Sequence, residues 1–296
     1  MSEETLRWTI GAVRMTALVE AETSGIPPQF FFPDITPDDI RGVGWLGDDP
    51  GVADADNATM AMRVQAFVLE VGGRTVLVDP CVGNGKRRNL PFWNDLSTPW
   101  LERFHAAGFT EDGIDLVVHT HLHEDHLGWD TRLVDGEWVP TFAAARHLYV
   151  AAELDWAAAP EQQAREGSYL DSIEPVLRAG LADIVAPDAD LGGGLRLRST
   201  PGHTPGHVSL EVTTGAERFV VSGDLMHHQL QAANPSLAEV GDTDAPRARE
   251  TRRAFMDDCC GTGALVAGTH FPVAPVGRFE VDGPAAWRFR SVAADA

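Results

Sequence analysis

His119-Thr120-His121-Leu122-His123-Glu124-Asp125-His126 gathers four of the chain's eleven histidines into eight residues. Side chains two apart point the same way in extended backbone, so His121 and His123 share a side, and Asp125 and His126 follow on the turn. Imidazoles and carboxylates converging in this way are metal ligands. Residues 114–118, Ile-Asp-Leu-Val-Val, read as a short strand leading straight into this cluster. The cluster therefore sits at a strand's C-terminal end.

Upstream, residues 65–78 carry two apolar runs around Gly72-Gly73-Arg74, a β-hairpin pattern closed by Asp79-Pro80. Thr98 is expected to N-cap a helix with Pro99 in its first turn, Trp100, Leu101, Phe104 and Ala107 on one side, and Gly108 as its stop. Residues 6–19 read as a single strand with a bulge near Gly11. Residues 25–58, rich in Pro, Gly and Asp, form an irregular excursion whose Phe30, Phe31 and Phe32 either pack on the core or line a pocket. Downstream, Asp135-Gly136 marks a hairpin between residues 131–134 and 137–139, and residues 151–159 and 171–181 read as helices. The last third has strands at 195–198, 208–212, 219–222 and 264–267 and a polar helix at 246–256. Strand pairs with helices outside, and no linker-like stretch, predict an α/β sandwich forming one domain over residues 1–296.

Three further elements follow in order: Thr200-Pro201-Gly202-His203-Thr204-Pro205-Gly206-His207, Ser222-Gly223-Asp224 and Gly268-Thr269-His270. Together with H-x-H-x-D-H at 121–126, these resemble the motifs of the metallo-β-lactamase superfamily over roughly residues 60–275. The resemblance implies an αββα sandwich of two mixed β-sheets flanked by helices. It implies two divalent metal ions, with zinc expected: His121, His123 and His203 on one, Asp125, His126 and His270 on the other, and Asp224 between them. It further implies hydrolysis by a metal-bridging hydroxide, the leaving oxygen being held by the other metal or receiving a proton through Asp224 or Asp125. Asp79 resembles the family position that orients a ligand histidine from behind. Flavodiiron members carry glutamate at the position of His123, so an iron redox role is disfavoured.

Composition narrows the partners. A formal charge of −21, with no basic run longer than Lys86-Arg87-Arg88, argues against nucleic acid. No apolar run of membrane-spanning length occurs, and the start lacks the basic and apolar regions of a secretory signal, so a cytoplasmic protein without membrane partners is expected. Three cysteines, Cys81, Cys259 and Cys260, are too few for a disulfide framework and read as packed thiols. The partner is then a small-molecule substrate; a homodimer stays open, because residues 25–58 either wrap a second subunit or cover the site.

Within the superfamily, the motifs look most like the branch of acyl-homoserine lactonases, methyl-parathion-type hydrolases and related esterases. The expected reaction is opening of a lactone or carboxylic ester. Phosphotriester hydrolysis at the same site is the alternative, followed by a metal-binding protein without catalysis. Lactonases of that branch commonly have tyrosine three residues beyond the bridging aspartate, where this chain has His227, which makes His227 a candidate catalytic residue. His227 and His228 otherwise read as one packed and one solvated ring. His105 and His147 read as surface or core residues, His207 as a brace of its loop, and His119 as either a support behind the ligands or a structural residue. Among Trp45, Trp93 and Trp129, Trp129 is the first choice for a substrate-pocket wall because it follows the ligand loop.

Overall fold

Fifteen of the seventeen strands among the described residues fall into two large sheets, and the pleat of each explains its burial. The computed structural model describes residues 5–46 and 51–295, so residues 47–50 of the expected excursion lie outside the described residues. The first sheet contains β1 (Thr5–Ile10), β2 (Val13–Ile26), β3 (Ala53–Asp54), β4 (Thr59–Val71), β5 (Arg74–Val78), β6 (Leu116–Val118), β9 (Arg146–Val150) and β10 (Ala182–Val185). Its order is β1-β2-β4-β5-β6-β9-β10, with β3 beside β4. A separate hairpin joins β7 (Thr131–Val134) and β8 (Glu137–Pro140).

The second sheet runs in chain order: β11 (Asp190–Gly192), β12 (Leu195–Ser199), β13 (Val208–Thr214), β14 (Glu217–Val221), β15 (Leu265–Ala267), β16 (Val276–Val281) and β17 (Trp287–Ser291). Both sheets are mixed. Pairing is parallel at β5/β6, β6/β9 and β9/β10 in the first, and at β14/β15 in the second.

Alternate side chains of each strand serve different layers. Phe67 and Leu69 of β4, Val76 and Val78 of β5, Phe219 and Val221 of β14, and Leu265 and Ala267 of β15 meet in one core between the sheets. Their neighbours Ala66, Val68 and Leu77 face the opposite side, against Trp100 and Phe104 of helix α2 (Trp100–Ala106). Val220 and Val266 face outward in the second sheet, against Phe255, Met256 and Cys259 of the long helix at Ala245–Thr262. The result is the expected α/β class, layered helix, sheet, sheet, helix.

Several local expectations change. Residues 6–19 are two strands, because Ile10 pairs with Val13 and Gly11, at φ 58°, turns the chain back. A reversal and a bulge interrupt the same alternation, so the letters alone did not separate them. Helix α2 starts after Pro99, and the Thr98 hydroxyl caps nothing; it lies 3.2 Å from both Glu20 Oε1 and Asn84 Oδ1. The helix expected at 171–181 begins as a π turn at Tyr169–Ile173 and continues only to Arg178. Strands β9, β10, β16 and β17 were not anticipated. No helix among the described residues is long and apolar enough to cross a membrane. Cys81 and Cys259 are buried free thiols and Cys260 is partly exposed.

Candidate metal centre

Parallel strands end on the same side of a sheet, so the loops after β5, β6, β14 and β15 deliver polar residues to a common edge. The β12–β13 connection supplies the fifth segment. Glycine makes two of these approaches fit. A Cβ on Gly128, just past the ligand loop, would lie 1.7 Å from the Val82 carbonyl oxygen, and one on Gly223, at φ +57°, would lie 2.5 Å from Thr120 Oγ1.

All seven expected ligands converge, and they form two groups. His121 Nε2 and His203 Nε2 lie 3.0 and 2.9 Å from His123 Nδ1. On the other side, Asp125 Oδ2 is 3.6 Å from His126 Nε2 and 3.4 Å from His270 Nε2. Asp224 belongs to both groups. Its Oδ2 is 3.6 Å from His121 and His203 and 3.2 Å from His126, and its Oδ1 is 3.2 Å from His270. Donors held about 2.0–2.1 Å from a tetrahedral ion stand roughly 3.3 Å from one another, which is the spacing found here.

The outward nitrogens of His121, His203 and His270 have hydrogen-bond partners, the arrangement that turns a neutral imidazole's lone pair inward. His121 Nδ1 lies 3.1 Å from Thr120 Oγ1, and His123 Nε2 lies 3.6 Å from Glu166 Oε1. His126 Nδ1 is 3.1 Å from Asp79 Oδ2, His203 Nδ1 is 3.1 Å from Asp242 Oδ1, and His270 Nδ1 is 2.7 Å from the Arg63 carbonyl. Asp79 also accepts from the backbone N–H and hydroxyl of Thr120, at 2.8 and 2.7 Å, so it fixes the start of the ligand loop. Inward-facing His126 Nε2 and Asp224 Oδ1 are buried without a hydrogen-bond partner. Burial and the neighbouring rings hold His121, His123 and His203 well below the ordinary histidine value, leaving them neutral donors. The donor set fits two divalent ions sharing one carboxylate.

Other residues brace the ligands. His207 Nε2 accepts the Asp224 backbone N–H at 3.0 Å while its Nδ1 meets Thr200 Oγ1 at 2.9 Å, the expected brace. Glu153, missed in the sequence, ties two ligand segments together by accepting from Leu122 N at 3.2 Å and Gly206 N at 2.6 Å. Burial pushes its carboxyl up to about 7. A lone Glu in a helical stretch gives no sign of this in the letters. His119 is structural, 2.9 Å from Asp130 Oδ2, and His147 is a core residue on the same carboxylate.

His227 Nε2 stands 3.1 Å from Asp224 Oδ2, inside the site. Burial works against its charge, but Asp224 and Glu239 outweigh it and raise the ring to about 9. His228 is not solvated; it is buried, with Nδ1 accepting from Leu230 N at 3.0 Å.

The ligands floor a pocket of about 530 Å³ whose walls include Phe30, Phe31, Leu90, Phe92 and Trp93. Trp129 is not among them. Its ring is buried, stacked on Trp100 at 5.3 Å, and its Nε1 donates to Glu20 Oε1 at 2.7 Å. Phe32 and Trp45 likewise pack in apolar clusters away from the site. The sequence missed Phe92, which lies 6.0 Å from Phe30 across the rim.

Comparison with known proteins agrees with this geometry. The family model described as the metallo-beta-lactamase superfamily matches residues 60–258. A UPF0173 metal-dependent hydrolase from Aeropyrum pernix is 29% identical over 212 residues, 71% of each chain. The N-acyl homoserine lactonase AttM of Rhizobium radiobacter is 32% identical over 117 residues, covering 38% of this chain and 41% of that protein. Among solved structures, hydrolase AbOPH in the beta lactamase superfamily superposes with a TM-score of 0.81 at 23% identity, covering 99% of both chains. AidC, a dizinc quorum-quenching lactonase, superposes with a TM-score of 0.78 at 20% identity, covering 99% of this chain and 98% of its own. At those identities the structural likeness speaks for a shared fold.

Proposed function

The chain belongs to the metallo-beta-lactamase superfamily, and from that membership we propose that it is a two-metal hydrolase opening lactones or carboxylic esters that carry an apolar arm. The observation that carries this reading is the pair of three-ligand groups joined by Asp224, beneath a pocket walled by aromatic rings. When bound, divalent ions at such a site supply water ionised near neutral pH and Lewis-acid polarisation of a carbonyl. His121, His123, His203, Asp125, His126, His270 and Asp224 hold the ions; zinc suits these donors. In this reading Asp125 or Asp224, both lining the pocket, would carry a proton toward the leaving oxygen. Phe30, Phe31, Phe92 and Trp93 take the apolar arm and keep water away from it.

The test is a panel of lactones, aryl esters and organophosphates assayed with metal-reconstituted and chelated protein, beside elemental analysis. Two metals per chain, with ester or lactone turnover lost on chelation, are the expected results. Preference for organophosphates moves the assignment to phosphotriesters, and turnover of none, with both metals bound, overturns it.

His227 is assigned the hydrogen bond to the substrate carbonyl, since its ring lies on the pocket wall beside Asp224. His227→Ala is expected to lower kcat about 10²-fold, as loss of one polarising donor does, with metal content unchanged. Steady-state kinetics with metal analysis checks this, and unchanged kcat removes His227 from the reaction.

A further inference from the structure

The ligand loop holds the pocket wall as well as the metal ligands. Glu124 stands between the candidate ligands His123 and Asp125 and lines the same pocket, yet its carboxylate belongs to neither metal group. It accepts from Asn89 N at 3.0 and 2.8 Å and from Leu90 N at 3.3 Å. Only 4% of the residue is exposed.

The segment gripped in this way carries half of the aromatic wall. Residues 89–93 contribute Leu90, Phe92 and Trp93 to the pocket, and the 3-10 turn Pro91–Trp93 contains no buried residue. Phe92 is 53% exposed, and its ring meets Phe30 at 6.0 Å and Trp93 at 5.5 Å. Short apolar turns projecting into water are held by their backbone bonds, not by core burial. The entry to the segment is tied separately, because Arg88 Nη1 lies 2.8 Å and Lys86 Nζ 3.4 Å from the Asp171 carboxylate. Trp93 leans on the outer apolar cluster. Between these anchors, Glu124 provides the direct grip at the pocket.

We propose that Glu124 is a positioning residue for substrate specificity, its carboxylate clamping the 89–93 segment so that Phe92 and Trp93 stand over the ligands and receive the substrate's apolar arm. The clamp itself is independent of the hydrolase reading; its consequence for substrate choice rests on that reading. A side chain that touches neither the metals nor the reacting bond thereby couples the rigid ligand loop to the pocket wall. Because the contact is backbone to carboxylate, its strength depends on reach and acceptor capacity. Glu124→Asp keeps the charge and shortens the arm by one methylene, Glu124→Gln keeps the length and one acceptor oxygen, and Glu124→Ala removes both.

Each full-length variant is loaded with zinc and compared with the parent on p-nitrophenyl acetate and p-nitrophenyl decanoate. Amide hydrogen exchange at Asn89 and Leu90 and metal content are measured alongside. Glu124→Ala and Glu124→Asp are expected to raise KM for the decanoate roughly tenfold, with acetate kinetics and metal content unchanged and faster exchange at both amides. Glu124→Gln is expected to recover most of the decanoate KM. Equal losses on both esters, loss of metal, or unchanged exchange at Asn89 and Leu90 overturns the proposal. If the parent cleaves neither ester, aryl esters drop out of the hydrolase reading and exchange decides the clamp: faster exchange in Glu124→Asp upholds it, and parental exchange refutes it.

Discussion

Asp224→Ala is expected to reduce kcat/KM by at least ~10³-fold, about 4 kcal/mol of transition-state stabilisation. It is also expected to cut bound metal from two ions per chain to one or none. The magnitude follows from geometry. Among the seven candidate ligands, Asp224 is the one shared by both groups, and it faces His121, His126, His203, His227 and His270 at 3.1 to 3.6 Å. Any other ligand serves one group. Its loss removes a bridge and leaves five buried rings without their common carboxylate. The contrasting control is His105, whose side chain is 47% exposed and pairs with Glu111 at 2.9 Å. His105→Ala is expected to keep parental kinetics and metal content. Full turnover with two metals in Asp224→Ala sinks the shared-carboxylate arrangement.

The ligands were legible because the chemistry is written locally. The candidate donors sit on short loops at strand ends, so spacing within 121–126, 200–207, 222–224 and 268–270 carried their convergence. What surrounds them depends on distant segments. Trp129 follows the ligand loop by three residues, yet Trp100 and Glu20 capture its ring on the far side of the sheet. Phe92 drew no notice because an exposed ring on a short turn becomes a pocket wall only when Phe30, sixty-two positions earlier, comes to meet it. Glu153 and Asp242 support ligands through contacts spanning 31 and 39 positions or more. The sheet class was read correctly, while the Gly11 reversal was not, since alternation records which face is buried and not where the chain turns back.

Asp130→Ala is expected to destabilise the fold by about 3–5 kcal/mol, the cost of leaving a buried charge without its partner. Asp130 is fully buried, accepts from the Tyr149 hydroxyl at 3.1 Å and stands 2.9 Å from His119 Nε2 and 3.2 Å from His147 Nδ1. His119 Nδ1 also lies 3.2 Å from the Leu148 carbonyl, and although burial works against its charge, Asp130 raises the ring above its ordinary value. Although burial disfavours its charge, Asp130 is held well below the usual carboxylate range by His119 and His147. Removing it strands two imidazole rings and a phenol in a place water does not reach. Asp130→Asn keeps the shape and one acceptor and is expected to cost less than the alanine variant. Urea unfolding of both variants checks the ranking, with a midpoint loss for Asp130→Ala that persists in chelated protein. Persistence matters because bound metal stabilises by mass action, about 2.7 kcal/mol at a hundredfold excess over its dissociation constant, and weakened metal binding alone would mimic the loss. If chelation erases the difference between Asp130→Ala and the parent, the triad acts through the metal centre and not as a brace between β6 and β9.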